Sequence, residues 1–538
     1  MGLGCMRLEA ESAPATIAAA AEAGITVFDT ARAYGDNEAQ LARALRACGA
    51  AAGARVVTKA GMSRPGGTWV PDGRARAIRS DCEASLAALD GLPIDLLLLH
   101  APDPRTPWRT SVRALARLVD EGLVRRVGVS NVNRRQLEEA LELAPVAAVQ
   151  VGLSPLDDRA LRGGVVERCE AAGLAVLAHS PLGGPRRVNR LLRHAALAQV
   201  AEERRATPAE VALAWLLTVS RAVVPIPGAR RPETARSAAR AAALELTEED
   251  RAALARAFTA PAPRRPRRRS EGEVVVVMGI PGAGKTRVAD DLVGRGYLRL
   301  NRDERGGSLR ELAGALEDAL AAGAQRVVLD NTYLTRASRS YVLKAAARHG
   351  LAARCVWLDT PLAQAQANLV ERLLDRLGRL PEPEELADLS RRHAGLLPPT
   401  RQMRALRELE PPASDEGFDS VEQVPFVREP GSGRAAVLVA AAAVARGWRP
   451  THPARPHLVF DWLPAPSAAE TAPPFDAEVG VCPHPGGPPT CWCRPPLPGL
   501  VLAFARKHSV DPAASTLVGT TTTHRTLART LGSDYVES

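Results

Sequence analysis

Three polar residues sit where apolar runs end, and a fourth lies close behind one of them. Asp29 closes Gly24-Ile-Thr-Val-Phe-Asp, Tyr34 follows five residues later, Lys59 closes Val57-Thr-Lys, and His100 closes a run of four leucines. Burying such groups costs several kcal/mol unless they satisfy one another, and these four can. Asp29 would hold Lys59 charged, the ammonium would lower the pKa of the Tyr34 phenol, and the phenol could then protonate an oxygen at neutral pH. His100 would orient a carbonyl. One such residue alone reads as a satisfied polar group at a rim; four together read as a proton-transfer site.

A second set lies near the middle of the chain. Gly279-Ile-Pro-Gly282-Ala-Gly284-Lys285-Thr286 follows a strand of four valines and a methionine. Its glycines let backbone N–H groups close around phosphates, Lys285 reaches the β/γ oxygens, and the Thr286 hydroxyl suits Mg²⁺. The plain alternative is a domain that only hydrolyses or senses ATP. Asp303, in Leu300-Asn-Arg-Asp-Glu-Arg305, favours phosphoryl transfer, because a carboxylate there can accept the proton of an incoming hydroxyl. The strand Val327-Val-Leu-Asp330-Asn-Thr332 follows, with Arg336 and Arg339 just beyond. A helix expected over 368–379 carries Arg372, Arg376 and Arg379, which would either neutralise a transferring phosphoryl group or form a solvated face. A third set, Cys482, His484, Cys491 and Cys493, supplies three thiolates and an imidazole, the soft ligands of a structural Zn²⁺.

The elements that must position these groups are legible as an α/β chain. Strand-like runs near 2–6, 24–29, 55–59, 94–100, 125–130, 146–151, 174–179 and 222–227 alternate with alanine-rich helical stretches, the count of a closed (β/α)₈ TIM barrel over residues 1–258. A proline and arginine stretch, 259–271, reads as a semi-rigid linker. Strand and helix then alternate in a P-loop domain over 272–430. Residues 431–538 hold an alanine-rich helix, a loop rich in proline, glycine and cysteine, and a strand-turn-helix ending at Gly532.

Composition bounds the rest. Of 538 residues, 46% are hydrophobic and 24% charged, which is globular composition, and no run is long enough to span a membrane. The first ten residues carry no export signature, so a cytoplasmic location is expected. Five of the eight cysteines are scattered singly, which points away from a disulfide framework. The net charge of +10 is compatible with a polyanionic partner or with ordinary solubility. Only four lysines occur, and two of them, Lys59 and Lys285, fall inside the constellations above.

Gly24 to Glu38, Val57-Thr-Lys59, Leu99-His100, Gly128-Val-Ser-Asn131 and Ser180-Pro-Leu-Gly183 resemble the aldo/keto reductase family. The resemblance implies Tyr34 as proton donor assisted by Asp29, Lys59 and His100. It also implies that Ser130, Asn131 and Gln150 hold the nicotinamide amide, and that Ser180, Leu182, Gly228 and Arg230 line the cofactor phosphates. Arg230 and Arg231 suit a 2′-phosphate, which favours NADP(H). Two positions depart from the family: Leu153 replaces the usual stacking aromatic, and Ser237 and Ala238 replace an adenine-side Glu-Asn pair.

The P-loop, Asn301-Arg-Asp303, Asp330-Asn-Thr332 and Glu416-Gly-Phe418 resemble the kinase domain of polynucleotide kinase. That likeness implies Asp303 as general base and Lys285 as phosphate clamp, with ATP and Mg²⁺ as cofactors and a DNA or RNA 5′-end as acceptor. Cys493 to Gly499 and Leu517-Val-Gly519 resemble the later part of a haloacid-dehalogenase-type phosphatase with a zinc loop. Pro495 stands at that family's lysine position, Thr520 and His524 stand at its metal-binding aspartates, and no DxDxT motif occurs, so a pseudo-phosphatase is expected.

The first expectation is therefore an NADPH-dependent reductase of small carbonyl compounds fused to a 5′-hydroxyl kinase of nucleic-acid repair or processing. A second makes both domains metabolic, acting on small carbonyl or sugar compounds. A third is a binding protein that senses NADPH and ATP without catalysis.

Overall fold

The computed structural model describes residues 1–258, 272–393, 395–427, 432–465 and 472–538. The chain forms two compact units, one on each side of the 259–271 stretch. The expected linker itself lies outside the described residues, as do residues 428–431 around the expected division at 430/431.

In the first unit, eight parallel strands follow one another in chain order: Gly2–Gly4, Val27–Asp29, Arg55–Ala60, Leu96–Leu99, Val127–Ser130, Val146–Gly152, Ala175–His179 and Val223–Ile226. The seam between the last strand and the first is narrow. Gly4 pairs with Gly228 and donates its N–H to the Pro227 carbonyl at 2.9 Å. Strand period sorts the side chains into two layers. Val57, Leu96, Leu98, Ala148, Leu177 and Ile226 form an inner cluster that fills the barrel, whereas Val56, Leu97, Leu99, Val149 and Val176 join the larger core shared with the helices. The barrel is therefore packed, and chemistry is left to its rim.

The second unit contains two five-stranded parallel sheets among the described residues. In the first, the order is Leu298–Leu300, Arg326–Asp330, Glu273–Met278, Ala352–Asp359, Ser420–Pro425. The strand before the P-loop is thus central, and Val274 to Met278 are fully buried. In the second, the order is Glu478–Cys482, His457–Trp462, Val437–Ala440, Thr516–Gly519, Asp534–Glu537.

This second sheet corrects the reading of the C-terminal region. The alanine-rich stretch begins as a strand, Val437–Ala440, and is helical only over Ala441–Ala445. Alanine's helix preference is a weak prior, and here Leu438 and Val439, buried between two neighbouring strands, override it. The strands at 457–462, 478–482 and 534–537 are also absent from the sequence reading.

The sheets differ in sequence but share a core. Leu369, Val370, Leu373 and Leu374 of the helix Leu362–Leu377 pack in one cluster with Leu438, Phe460, Trp492, Val501 and Phe504. The division at 430/431 therefore separates two sheets that are joined through the helix Leu362–Leu377.

Candidate functional site

The rim of the barrel follows from the inner layer by arithmetic. Asp29 lies two residues beyond Val27, Lys59 beyond Val57, His100 beyond Leu98, Gln150 beyond Ala148, and His179 beyond Leu177, so each continues the inward face past the last apolar layer. The Lys59 ammonium donates to both Asp29 carboxylate oxygens at 2.8 Å and to the Thr30 carbonyl at 2.7 Å. Gln150 donates to Asp29 Oδ1 at 2.6 Å. Behind this pair, Thr30 donates to Asn37 Oδ1 and Thr58 donates to Glu38 Oε1, tying the strand ends to the helix Asn37–Ala47.

Tyr34 sits in the short turn Arg32–Tyr34 with its ring centroid 5.1 Å from Lys59 Nζ and 5.8 Å from the His100 ring. Burial pushes the Lys59 pKa down, but Asp29 and Tyr34 outweigh it and the net shift is upward, so the lysine is charged. For Tyr34 the expected direction is corrected. Burial raises its pKa by more than Lys59 lowers it, so the phenol is held in its protonated, donating form. Burial, then the charge of Lys59, pushes the His100 pKa down to about 3, leaving a neutral imidazole whose buried Nδ1 has no partner among the described residues. A charged lysine, a protonated phenol and a neutral imidazole facing one rim can receive and protonate a carbonyl oxygen.

The residues expected around a nicotinamide converge on the same rim. Asn131, in a left-handed conformation (φ 56°), donates to the His100 carbonyl and Ser130 Oγ at 3.1 Å, and its Oδ1 is 3.0 Å from His179 Nε2. Ser130 and Gln150 are buried. Ser180 turns the chain at φ 52° with its hydroxyl 3.3 Å from His179 Nδ1, Leu182 packs on the outer core, and Gly228 forms the seam. Arg230 is more than half exposed and 3.9 Å from Glu9, open to an incoming anion. Leu153 is buried in the outer core, and Ser237 is committed to Glu210, which also receives Arg240. This set, buried at Ser130 and Gln150 and open at Asn131, Ser180, Gly228 and Arg230, fits a carboxamide at one end and a phosphate-bearing group at the other.

Sequence reasoning missed two rim residues. Trp69, on a short hairpin beyond the third strand, makes ring contacts with Tyr34 at 6.1 Å and His100 at 5.5 Å. Its signal was an aromatic in a Gly- and Pro-rich loop on the face where barrel sites form. His179 orients Asn131; its signal was inward parity, two residues past Leu177.

In the second unit, Gly279 (φ 155°) and Gly282 (φ 86°) shape the P-loop, and a Cβ at Gly282 would lie 2.2 Å from the Ala365 carbonyl oxygen. Gly284 precedes the helix Lys285–Gly294. A cavity of about 650 Å³ opens over this loop, lined by Gly282, Gly284, Lys285, Thr286, Asp303 and Arg372 among others. Lys285 Nζ donates to the Gly279 and Ile280 carbonyls, and burial lowers its pKa to about 8. Asn301 caps the turn that presents Asp303, accepting the Asp303 N–H at 2.7 Å and donating to Asp330, which also holds Arg299. Asn331 Nδ2, on the same wall, is buried with no partner among the described residues. This glycine cradle, movable ammonium and orphaned amide fit a nucleotide triphosphate with its cation at Thr286.

The arginine expectations need correction. The helix runs Leu362–Leu377, so Arg379 lies beyond its Gly378 cap and pairs with Glu385. Arg376 is exposed and is not among the residues lining the cavity. Arg339 is fully buried against Glu416, and Arg336 pairs with Asp415. Of the expected arginines Arg372 lines the cavity, joined by Arg302 and by Arg391, Arg392, Arg401 and Arg404 on the helices Pro383–Arg392 and Pro399–Glu408. Their approach to the P-loop is set by packing that sequence spacing does not encode.

In the second sheet, Cys482, His484, Cys491 and Cys493 bring their ligand atoms within 4.8 Å of one another. Cys482 Sγ is 3.7 Å from Cys491 Sγ and 3.4 Å from His484 Nδ1, which is 3.2 Å from Cys493 Sγ. A tetrahedron of ~2.3 Å Zn–S bonds has edges near these lengths, so the set fits zinc. At the strand ends, Asp461 and His524 lie 3.4 Å apart, and Ala441 to Ala443 follow the central strand.

A family profile described as the aldo/keto reductase family matches residues 1–258, and one described as an AAA domain matches residues 274–394. Aldo-keto reductase str7 of Strobilurus tenacellus is 31% identical over 265 residues, covering 44% of this chain and 78% of that protein. Probable aldo-keto reductase 1 of Glycine max is 30% identical over 290 residues, covering 46% and 82%. A solved structure of a thermostable aldo-keto reductase, crystallised with the inhibitor epalrestat, is 30% identical with a TM-score of 0.42, covering 48% of this chain and 94% of that one. Among the described residues no helix is long and apolar enough to cross a membrane. With Asp29, Tyr34, Lys59 and His100 gathered on one barrel rim and relatives matched over most of their length, the chain belongs, through residues 1–258, to the aldo/keto reductase family.

Proposed function

We propose that this protein joins an NADPH-dependent carbonyl reductase to an ATP-dependent kinase whose acceptor is a polynucleotide 5′-hydroxyl. The observation that carries the reductase is the Lys59–Asp29 pair beneath a protonated Tyr34 and a neutral His100. NADPH, when bound, supplies the hydride. Tyr34 gives its proton to the carbonyl oxygen, Lys59 stabilises the phenolate left behind, and Asp29 holds Lys59 in place. His100 fixes the carbonyl by hydrogen bonding, and Trp69 covers the substrate side. Ser130, Asn131 and Gln150 take the carboxamide, and Ser180, Leu182, Gly228 and Arg230 the phosphates.

In the second unit, Lys285, Thr286 with Mg²⁺, and Arg372 would hold the transferring phosphate while Asp303 accepts the hydroxyl proton. The arginines of the two overlying helices support an anionic acceptor, which suits a nucleic-acid strand. The C-terminal sheet, whose central strand is followed by alanines, is assigned a structural role with bound zinc.

Two assays test this. NADPH oxidation with a panel of aldehydes should fall by about two or more orders of magnitude in Tyr34→Phe. Transfer of labelled γ-phosphate to 5′-hydroxyl DNA and RNA oligonucleotides should vanish in Asp303→Ala and Lys285→Ala. Labelling of small sugars instead of oligonucleotides would replace the nucleic-acid acceptor with a metabolic one. ATP binding with no transfer to either would leave a nucleotide sensor.

A further inference from the structure

Two contacts connect the zinc-ligand loop to the helical segments that carry the cavity arginines. His484 turns Nδ1 toward Cys482 and Cys493, while its Nε2 lies 2.9 Å from Glu382 Oε2. Glu382 stands at the N-terminal cap of the helix Pro383–Arg392, which ends in Arg391 and Arg392. A carboxylate accepting from Nε2–H fixes the tautomer that leaves Nδ1 free to ligate, the usual arrangement behind a metal-bound imidazole. Between the ligands Cys491 and Cys493, Trp492 is fully buried and donates to the Leu397 carbonyl at 2.9 Å. Leu397 lies in the connection to the helix Pro399–Glu408, which carries Arg401 and Arg404, and itself lines the cavity.

The opposite side of this helical pair is also pinned. Gln402 donates to the Pro281 carbonyl of the P-loop at 2.9 Å. Arg372, Arg391, Arg392, Arg401 and Arg404 share one cavity with Lys285, and although Arg391 pairs with Asp388 and Arg404 with Glu408, the arginines of the cavity outnumber its carboxylates Asp303, Asp330 and Glu408. The ligand loop packs through Trp492 and Leu497, but its stretch Pro485 to Pro489 is exposed or half-buried, so a cross-link between its two ends would stiffen it.

We propose that zinc at Cys482, His484, Cys491 and Cys493 is that cross-link, and that through Glu382 and Trp492 it sets the position of the arginine-bearing helices and hence the affinity of the P-loop cavity for ATP. Glu382 and Trp492 are positioning residues. The inference rests on the zinc reading of the cluster, and the test separates the two.

The full-length protein is assayed for zinc by mass spectrometry, then for fluorescent-ATP affinity and for hydrogen exchange over residues 383–408, before and after chelation and after zinc return. One equivalent of zinc is expected. Its removal should weaken ATP binding at least about tenfold and speed exchange over 383–408, with both restored by zinc, while exchange at 437–440 confirms that the sheet remains folded. Should chelation unfold that sheet, Glu382→Ala and Trp492→Phe carry the test, since each removes one contact and keeps all four ligands. Both variants should retain zinc at saturating metal and weaken ATP binding. Stoichiometric zinc with unchanged affinity and exchange after chelation and in both variants overturns the coupling and keeps the metal. Absence of zinc from protein prepared with zinc supplied overturns both.

Discussion

The Lys59 ammonium lies 2.8 Å from each carboxylate oxygen of Asp29, and neither side chain has appreciable contact with solvent. Removing one partner of a buried pair strands the other charge, at about 3–5 kcal/mol. Asp29→Asn should therefore lose both reductase activity and several kcal/mol of stability in the barrel. Tyr34→Phe should lose comparable activity with a stability change of about 1 kcal/mol or less, because no buried charge is orphaned. Urea unfolding beside NADPH oxidation separates the two effects.

His100 links stability to pH. Its folded pKa of about 3 lies below the ordinary 6.5, so unfolding takes up a proton as the pH falls below 6.5. The contribution is complete above that value and declines toward pH 3, by about 1.4 kcal/mol per unit. Between pH 6 and pH 4 the unfolding free energy of the parent should fall relative to that of His100→Gln with that slope.

Lys285 predicts a proton linkage of opposite sense in ATP binding. With a pKa of about 8 before binding, it is mostly neutral at pH 8.5, and phosphate charge will restore its proton. Calorimetry in buffers of different ionisation enthalpy should show uptake of roughly 0.7 proton at about pH 8.5 and little at about pH 7. Lys285→Arg should abolish the uptake.

Arg339 donates to both carboxylate oxygens of Glu416, at 2.7 and 2.5 Å, and also to the Tyr333 and Glu410 carbonyls, all away from solvent. Glu416→Gln should cost about 3–5 kcal/mol by leaving a guanidinium buried and uncompensated. The loss should appear in the unfolding of the second unit and leave NADPH binding by the barrel unchanged.

The barrel rim was legible because strand period carries its own geometry. A polar residue that ends an apolar run, two positions past an inward side chain, has only one place to be, and Asp29, Lys59 and His100 obey that rule. Trp69 did not announce itself, since a hairpin inside a connecting loop follows neither helical nor strand period. The arginines at 391, 392, 401 and 404 were hidden for another reason. Their helices are amphipathic, but which face turns to the P-loop is decided by Leu386 and Leu396 packing beside Trp492 from a distant segment. The strand at 437–440 was lost because composition favoured helix while burial between two neighbours favoured extension.

The helix Leu362–Leu377 has no idle face. Asn368 donates to the Gly282 carbonyl on one side, while Val370, Leu373 and Leu374 enter the core of the C-terminal sheet on the other. The C-terminal sheet is thereby tied, through one helix, to the loop that lines the P-loop cavity. A substitution in its interior should therefore be felt at the P-loop, and the two sheets should melt as one cooperative body.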